Sequence, residues 1–183
     1  MTKDKAILVV SFGTSYNDTR AKTIGAIENL IAERHGDWEV RRAFTSRKII
    51  KKLLERDGEK IDYVGEALGK LRDEGFRTVV VQPTHIMNGD EFDKVAEVVE
   101  EFEDEFDDLR LGTPLLTSVE DYDLVMDAID RSMAEEARAI GEKTAVVLMG
   151  HGTEHYANAT YSQLQLKLIT TGRSDVYVTT VEG

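Results

Sequence analysis

A chain of 183 residues, 41% hydrophobic and 32% charged, has the make-up of a folded globular protein of one sizeable domain or two small ones. Its formal net charge of −12 argues against a nucleic-acid partner, and zero cysteines exclude disulfides, thiolate metal sites and cysteine nucleophiles, leaving His, Asp and Glu to hold any metal. No apolar run approaches a membrane span and the Met1-Thr-Lys-Asp-Lys start has no signal-peptide core, so a cytoplasmic setting without membrane contact is expected.

The first apolar run, Ala6 to Val10, predicts a buried strand that ends in Ser11-Phe-Gly-Thr14. Asn17 or Asp18 is placed to cap a helix that carries Ile24, Ile27, Leu30 and Ile31 and stops at Gly36. Trp38 to Phe44 reads as a second strand, followed by a basic helix from Arg47 to Arg56, a turn at Asp57-Gly58 and a helix from Asp62 to Asp73 closed by Gly75. Arg41, Arg42, Arg47, Lys48, Lys51 and Lys52 form a basic island with no acid among them, either a solvated surface or a landing site for an anionic small molecule.

Thr78 to Gln82 predicts another buried strand, ending at Pro83 before the loop Thr84-His-Ile-Met-Asn-Gly-Asp-Glu-Phe92. A helix from Glu91 to Phe106 follows, then a short strand from Leu109 to Leu111. Ser118-Val-Glu-Asp121 has the spacing of a capping box with aspartate in the acidic place, and opens a helix to about Ile140. Strand Ala145–Met149, a helix over Asn158–Ile169 and strand Val176–Val181 complete the chain.

Gly150-His151-Gly152-Thr153 follows the fifth strand much as Ser11-Phe12-Gly13-Thr14 follows the first. In open α/β sheets ligands bind at the carboxyl ends of strands, and flanking glycines leave the His151 imidazole free to ligate a metal or accept a proton. Two similar strand–turn–helix units suggest two similar halves, here 1–117 and 144–183 joined by a linking helix over 118–143. On that division the second half is incomplete, and its last strand would leave apolar surface bare; such an edge favours association, a homo-oligomer included. His155, four residues after His151, is out of helical register because Gly152 intervenes, and His35 sits at a helix end, where the dipole favours it.

The segments Val10-Ser-Phe-Gly-Thr-Ser-Tyr16, Ala43-Phe-Thr-Ser46, Gln82-Pro-Thr-His-Ile-Met-Asn-Gly-Asp-Glu91, Gly150-His-Gly-Thr-Glu-His-Tyr-Ala-Asn158 and Val181-Glu-Gly183 resemble, in order and across all 183 residues, the anaerobic-type sirohydrochlorin cobaltochelatases. These are class II chelatases that share a fold with ferrochelatase. The resemblance implies an α/β fold of two similar halves, each a parallel sheet flanked by helices, with a tetrapyrrole cleft between them. It also implies ATP-independent insertion of Co(II), as substrate metal, into sirohydrochlorin during cobalamin biosynthesis, with no organic cofactor.

By the same resemblance His151 is the metal-binding and proton-accepting histidine, Glu182 joins it at the metal, and Glu91 is an acidic catalytic residue of the first half. Ser11, Phe12, Gly13, Thr14 and His85 are expected to line the tetrapyrrole cleft; for Phe12 a core role, and for His85 a structural hydrogen bond, are the competing readings. The family's second metal histidine belongs to a Gly-Asp-His stretch that this sequence does not reach, so the expected ligand set is incomplete. The chemistry suits the residue types in any case. Metal insertion removes two pyrrole protons, which needs a base, and imidazole with carboxylate holds a metal loosely enough to release it. The eight carboxylates of sirohydrochlorin suit the basic island and the turns Ser11–Thr14 and Thr153–Asn158 as anchors. Three other readings compete: a flavodoxin-like FMN protein, whose phosphate loop Ser11–Thr19 only loosely matches; a tetrapyrrole or metal carrier without insertion; and a P-loop NTPase, excluded by the missing motif.

Overall fold

The computed structural model describes residues 4–140 and 144–182, without the side chains of 134–140. Gly183 and residues 141–143 of the expected linking segment lie outside the described residues. The chain forms two compact units, Met1–His85 with Asp90–Pro114, and Ile86–Gly89 with Leu115–Gly183.

The first unit is a parallel sheet flanked by helices. Its strands are β1 (Lys5–Ser11), β2 (Glu39–Phe44), β3 (Thr78–Pro83) and β4 (Asp108–Leu111), in the order β2-β1-β3-β4. The central position of β1 explains its unbroken apolar run. Every residue from Ala6 to Ser11 is buried, because helices cover both faces and neighbours occupy both edges. Ala6, Leu8 and Val10 meet Val64, Leu68 and Leu71 of α4 (Val64–Asp73) and Val95 and Val99 of α5 (Asp90–Glu101). A second cluster joins Phe44, Leu53 of α3 (Arg47–Asp57) and Ile61, with Ile24 packed against it.

Three local features depart from the sequence expectation. The helix expected from Asn17 to Gly36 is two helices, α1 (Asn17–Lys22) and α2 (Ile24–Arg34), broken at Thr23. There the Thr23 hydroxyl and N–H both donate to the Thr19 carbonyl, the backbone back-bonding that makes threonine a poor interior residue, and Gly25 lowers helix propensity just beyond. Neither Asn17 nor Asp18 caps: Tyr16 is at the cap position, and Asn17 instead lies against Asp57 and Arg56. The helix expected to reach Phe106 ends at Glu101 and tightens into a 3₁₀ turn over Glu103–Glu105, since a run of acids is repelled by the negative end of the helix dipole.

Folding also gives the basic island acidic partners. Arg41 lies 2.9 Å from Glu39 and 2.8 Å from Glu74, and the Nε–Nη2 edge of Arg42 donates to both carboxylate oxygens of the buried Glu28 of α2. Arg47 stacks on Tyr63 at 4.0 Å. Arg41 and Arg42 are therefore committed to structure and drop out as anchors for an anion.

In the second unit α6 (Val119–Ile140) begins with the predicted capping exchange: the Asp121 carboxylate accepts from Ser118 N at 2.6 Å and Thr117 N at 3.2 Å, while Ser118 Oγ accepts from Asp121 N. Strands β5 (Val146–Gly150) and β6 (Val176–Thr180) pair in parallel. One face of this sheet packs Val146, Leu148, Val176 and Val178 with Tyr122 and Met126 of α6 and Leu164 and Leu168 of α7 (Ala159–Thr170). On the other face Val147, Met149 and Tyr177 are all more than half exposed. Among the described residues no helix is long and apolar enough to cross a membrane.

Candidate active site

In the second unit the register of β5 and β6 sets Gly150 beside Thr180. Pairing continues past both strands: Val181 N donates to Gly150 O and Glu182 N to His151 O, each at 3.0 Å. Two residues far apart in the chain therefore leave the sheet side by side. His151 Nε2 lies 2.7 Å from Glu182 Oε1, with the side chains 80% and 63% exposed. A contact so open to water contributes less than about 1 kcal/mol to the fold, so neither side chain is committed to structure. Among the described residues no group of three or more His, Cys, Asp or Glu that could hold a metal ion converges.

The backbone allows this approach only because residue 152 is glycine. Gly152 has φ +87°, and a Cβ there would overlap the carbonyl of Glu182. Its N–H donates to the Tyr161 hydroxyl at 3.3 Å. The rest of the loop is tied to itself. Thr153 N donates to Asn158 Oδ1, His155 N to Thr153 Oγ1, and Ala157 N to His155 Nδ1 at 3.1 Å. His155 thus caps the 3₁₀ turn Tyr156–Asn158 and is turned away from any shared ligation with His151.

In the first unit the carboxyl ends of β1, β2 and β3 meet. Ser46 N donates to Phe12 O, Thr45 N to Ser11 O and Thr84 N to Val10 O. The Ser11 hydroxyl is buried and accepts from Thr84 Oγ1 at 2.8 Å, so it faces inward. Gly13 (φ +96°) lies so close to the ring of Phe44 that a Cβ would come within 2.5 Å. The Thr14 hydroxyl accepts from Tyr16 N, and Phe12 is 49% exposed, the large apolar side chain this loop presents.

Beside them stand Glu91, in the first turn of α5, and His85, after β3. Burial raises the Glu91 carboxyl, but Lys94 Nζ at 2.6 Å from Oε1, the adjacent Thr45 hydroxyl and the His85 ring together hold it below its ordinary value. That Thr45 Oγ1 is shielded from solvent and makes no full hydrogen bond among the described residues. Burial holds the His85 imidazole below the usual histidine range, against the opposing pull of Glu91, and among the described residues neither ring nitrogen has a hydrogen-bond partner. The competing reading of His85, a structural hydrogen bond, finds no partner among the described residues. Thr45 and Lys94 escaped the sequence reading. Lys94 was signalled by its i+3 spacing from Glu91, whereas Thr45 had its place at a strand end and in the segment Ala43-Phe-Thr-Ser46.

The chain matches the family described as cobalt chelatase (CbiK) over residues 5–183. It is 43% identical over 179 residues to the sirohydrochlorin cobaltochelatase of Salmonella typhimurium, covering 98% of this chain and 66% of that protein. It is 34% identical over 166 residues to the sirohydrochlorin cobaltochelatase CbiKC of Nitratidesulfovibrio vulgaris, covering 90% of this chain and 57% of that protein. The chain thus spans less than two thirds of the length of either relative.

Proposed function

Because the chain belongs to the cobalt chelatase (CbiK) family, we propose that it contributes the chemistry of Co(II) insertion into sirohydrochlorin, without ATP and without an organic cofactor, in cobalamin biosynthesis. The observation that carries this reading is the exposed His151–Glu182 pair at the ends of two parallel strands. Imidazole and carboxylate together would hold a hydrated Co(II), the substrate metal, and two such ligands would leave it partly hydrated and readily released to the macrocycle nitrogens. Once the metal has moved on, the His151 imidazole would be free to accept a pyrrole proton. Glu91 is a carboxylate kept charged at neutral pH, suited to draw off a proton or to balance the incoming cation. Phe12 offers an aromatic surface to a flat ring, with Gly13, Thr14 and the inward-facing Ser11 shaping its loop. The bare face carrying Val147, Met149 and Tyr177 favours association with a further copy or another chain.

The test is anaerobic Co(II) insertion into sirohydrochlorin, followed by absorbance, for this chain and for His151→Ala. Insertion faster than the spontaneous reaction, lost in the variant, is the expected result. Saturable tetrapyrrole binding without acceleration would instead assign a carrier. The absence of both binding and insertion would overturn the reading for this chain.

A further inference from the structure

The His151 side chain is 80% exposed, so no packing around the imidazole sets where it points. Its place opposite Glu182 is inherited from the backbone of residues 150–152. On one side that backbone is held by the continuation of β6, since Gly150 O accepts from Val181 N and His151 O from Glu182 N. On the other side it meets a single side chain, Tyr161 of α7. A Cβ on Gly150 would fall 2.2 Å from the Tyr161 ring, and the N–H of the buried Gly152 donates to the Tyr161 hydroxyl at 3.3 Å. Gly150 is a strand residue without a left-handed φ, so glycine is required there by the tyrosine ring and not by the turn.

Tyr161 is itself firmly placed. It lies three residues before Leu164 and seven before Leu168, on the helix face that these two bury against the sheet. From the same helix the Gln165 side chain accepts from Val178 N at 2.6 Å and donates to Val176 O at 3.2 Å, tying α7 to the backbone of β6. The phenol ring thus reaches the end of β5 from a helix fixed by both packing and hydrogen bonds.

We propose that Tyr161 is the positioning residue for His151: by seating Gly150 against its ring and taking the Gly152 N–H on its hydroxyl, it fixes the backbone from which the imidazole meets Glu182. This rests on the reading of His151 as a ligand of the substrate metal, and adds the residue that keeps the ligand pair aligned. Tyr161 acts only through His151. Without its hydroxyl the turn is held by hydrogen bonds on the β6 side alone, and the exposed imidazole spreads over positions that miss Glu182. A metal must then order the turn as it binds, which weakens its affinity.

The experiment uses the intact chain, unaltered and as Tyr161→Phe, Gly150→Ala, His151→Ala and Glu182→Ala, with urea denaturation to establish where each is folded. With the imidazole nitrogens labelled, NMR resolves the four histidines. The His151 signal is identified by its loss in His151→Ala, and Glu182→Ala gives its position without the carboxylate. In Tyr161→Phe, which keeps the ring and loses the hydroxyl, the His151 signal should move toward that position. Co(II) affinity by calorimetry should fall about fivefold, the worth of one hydrogen bond. Gly150→Ala, whose Cβ displaces the ring, should do the same. A folded Tyr161→Phe with an unmoved His151 signal, or with undiminished Co(II) affinity, would overturn the proposal, even if its stability is lowered, because the tyrosine would then serve the fold alone. If Tyr161→Phe does not fold, Gly150→Ala decides by the same two readings. Co(II) insertion into sirohydrochlorin, assayed alongside, separates the two ideas. An unaltered chain that shows these effects but no insertion overturns the chelatase reading and upholds the positioning role; one that binds no Co(II) overturns both.

Discussion

Gly152→Ala separates the two things glycine does at the candidate metal site. The residue has φ +87°, where an L side chain is strained by about 1–2 kcal/mol. Its Cβ would also overlap the carbonyl of Glu182, the residue whose N–H donates to His151 O at 3.0 Å. Relieving that overlap pushes the end of β6 away and breaks this hydrogen bond, which adds about 1 kcal/mol. The total, about 2–3 kcal/mol, corresponds to a shift of roughly 30- to 150-fold in the unfolding equilibrium of the second unit. The same movement parts His151 from Glu182. Gly172 supplies the control: it has the same φ, +87°, and nothing lies within 4 Å of its would-be Cβ. Gly172→Ala should then show the backbone strain alone, with Co(II) affinity intact. The assay is urea denaturation of both variants together with Co(II) titration by calorimetry. Gly152→Ala should lose at least about tenfold in Co(II) affinity, the worth of one ligand in a two-ligand site. If Gly152→Ala and Gly172→Ala lose the same stability and both bind Co(II) as the unaltered protein does, the close approach of residue 152 to Glu182 has no role in holding the ligand pair.

Two further perturbations probe the scaffold. Arg42→Ala leaves Glu28 buried without its guanidinium partner and should destabilise the first unit by about 2 kcal/mol in urea melts, less than for a fully enclosed pair because Arg42 is itself partly exposed; adding Glu28→Ala should recover part of that loss. The N–H groups of Ser118 and Thr117 hold the Asp121 carboxyl below its ordinary 3.8. Its contribution is therefore full above about pH 4 and is lost as pH falls through the lowered value. Acid unfolding of the second unit should show that loss, and Asp121→Asn should remove it, flattening the stability profile over this range; an identical profile in the variant would refute the assignment.

The local half of the architecture could be read from the chain. Ala6–Val10 and Thr78–Gln82 announce buried strands because a central strand of a parallel sheet needs apolar residues on both faces. The Ser118–Asp121 exchange was visible because its partners are three residues apart, and Gly150-His151-Gly152 because a turn at a strand end needs small residues. Sequence spacing could not show that Arg42 answers Glu28, that Thr23 breaks a helix, or that Ser11 faces inward, because each depends on neighbours brought in by packing.

The residues of the site were determined by the sequence, and their resemblance to the chelatase motifs named His151, Glu182, Glu91 and His85 as candidates. Their arrangement in space was decided by tertiary structure alone. The approach of His151 to Glu182 comes from the register of β5 on β6, a non-local pairing whose hydrogen bonds run one step past the strands. The lowered base strength of His85 comes from desolvation, which exists only once surrounding side chains have closed over the ring. A sequence lists donors and acids; distance and dielectric are set by the fold.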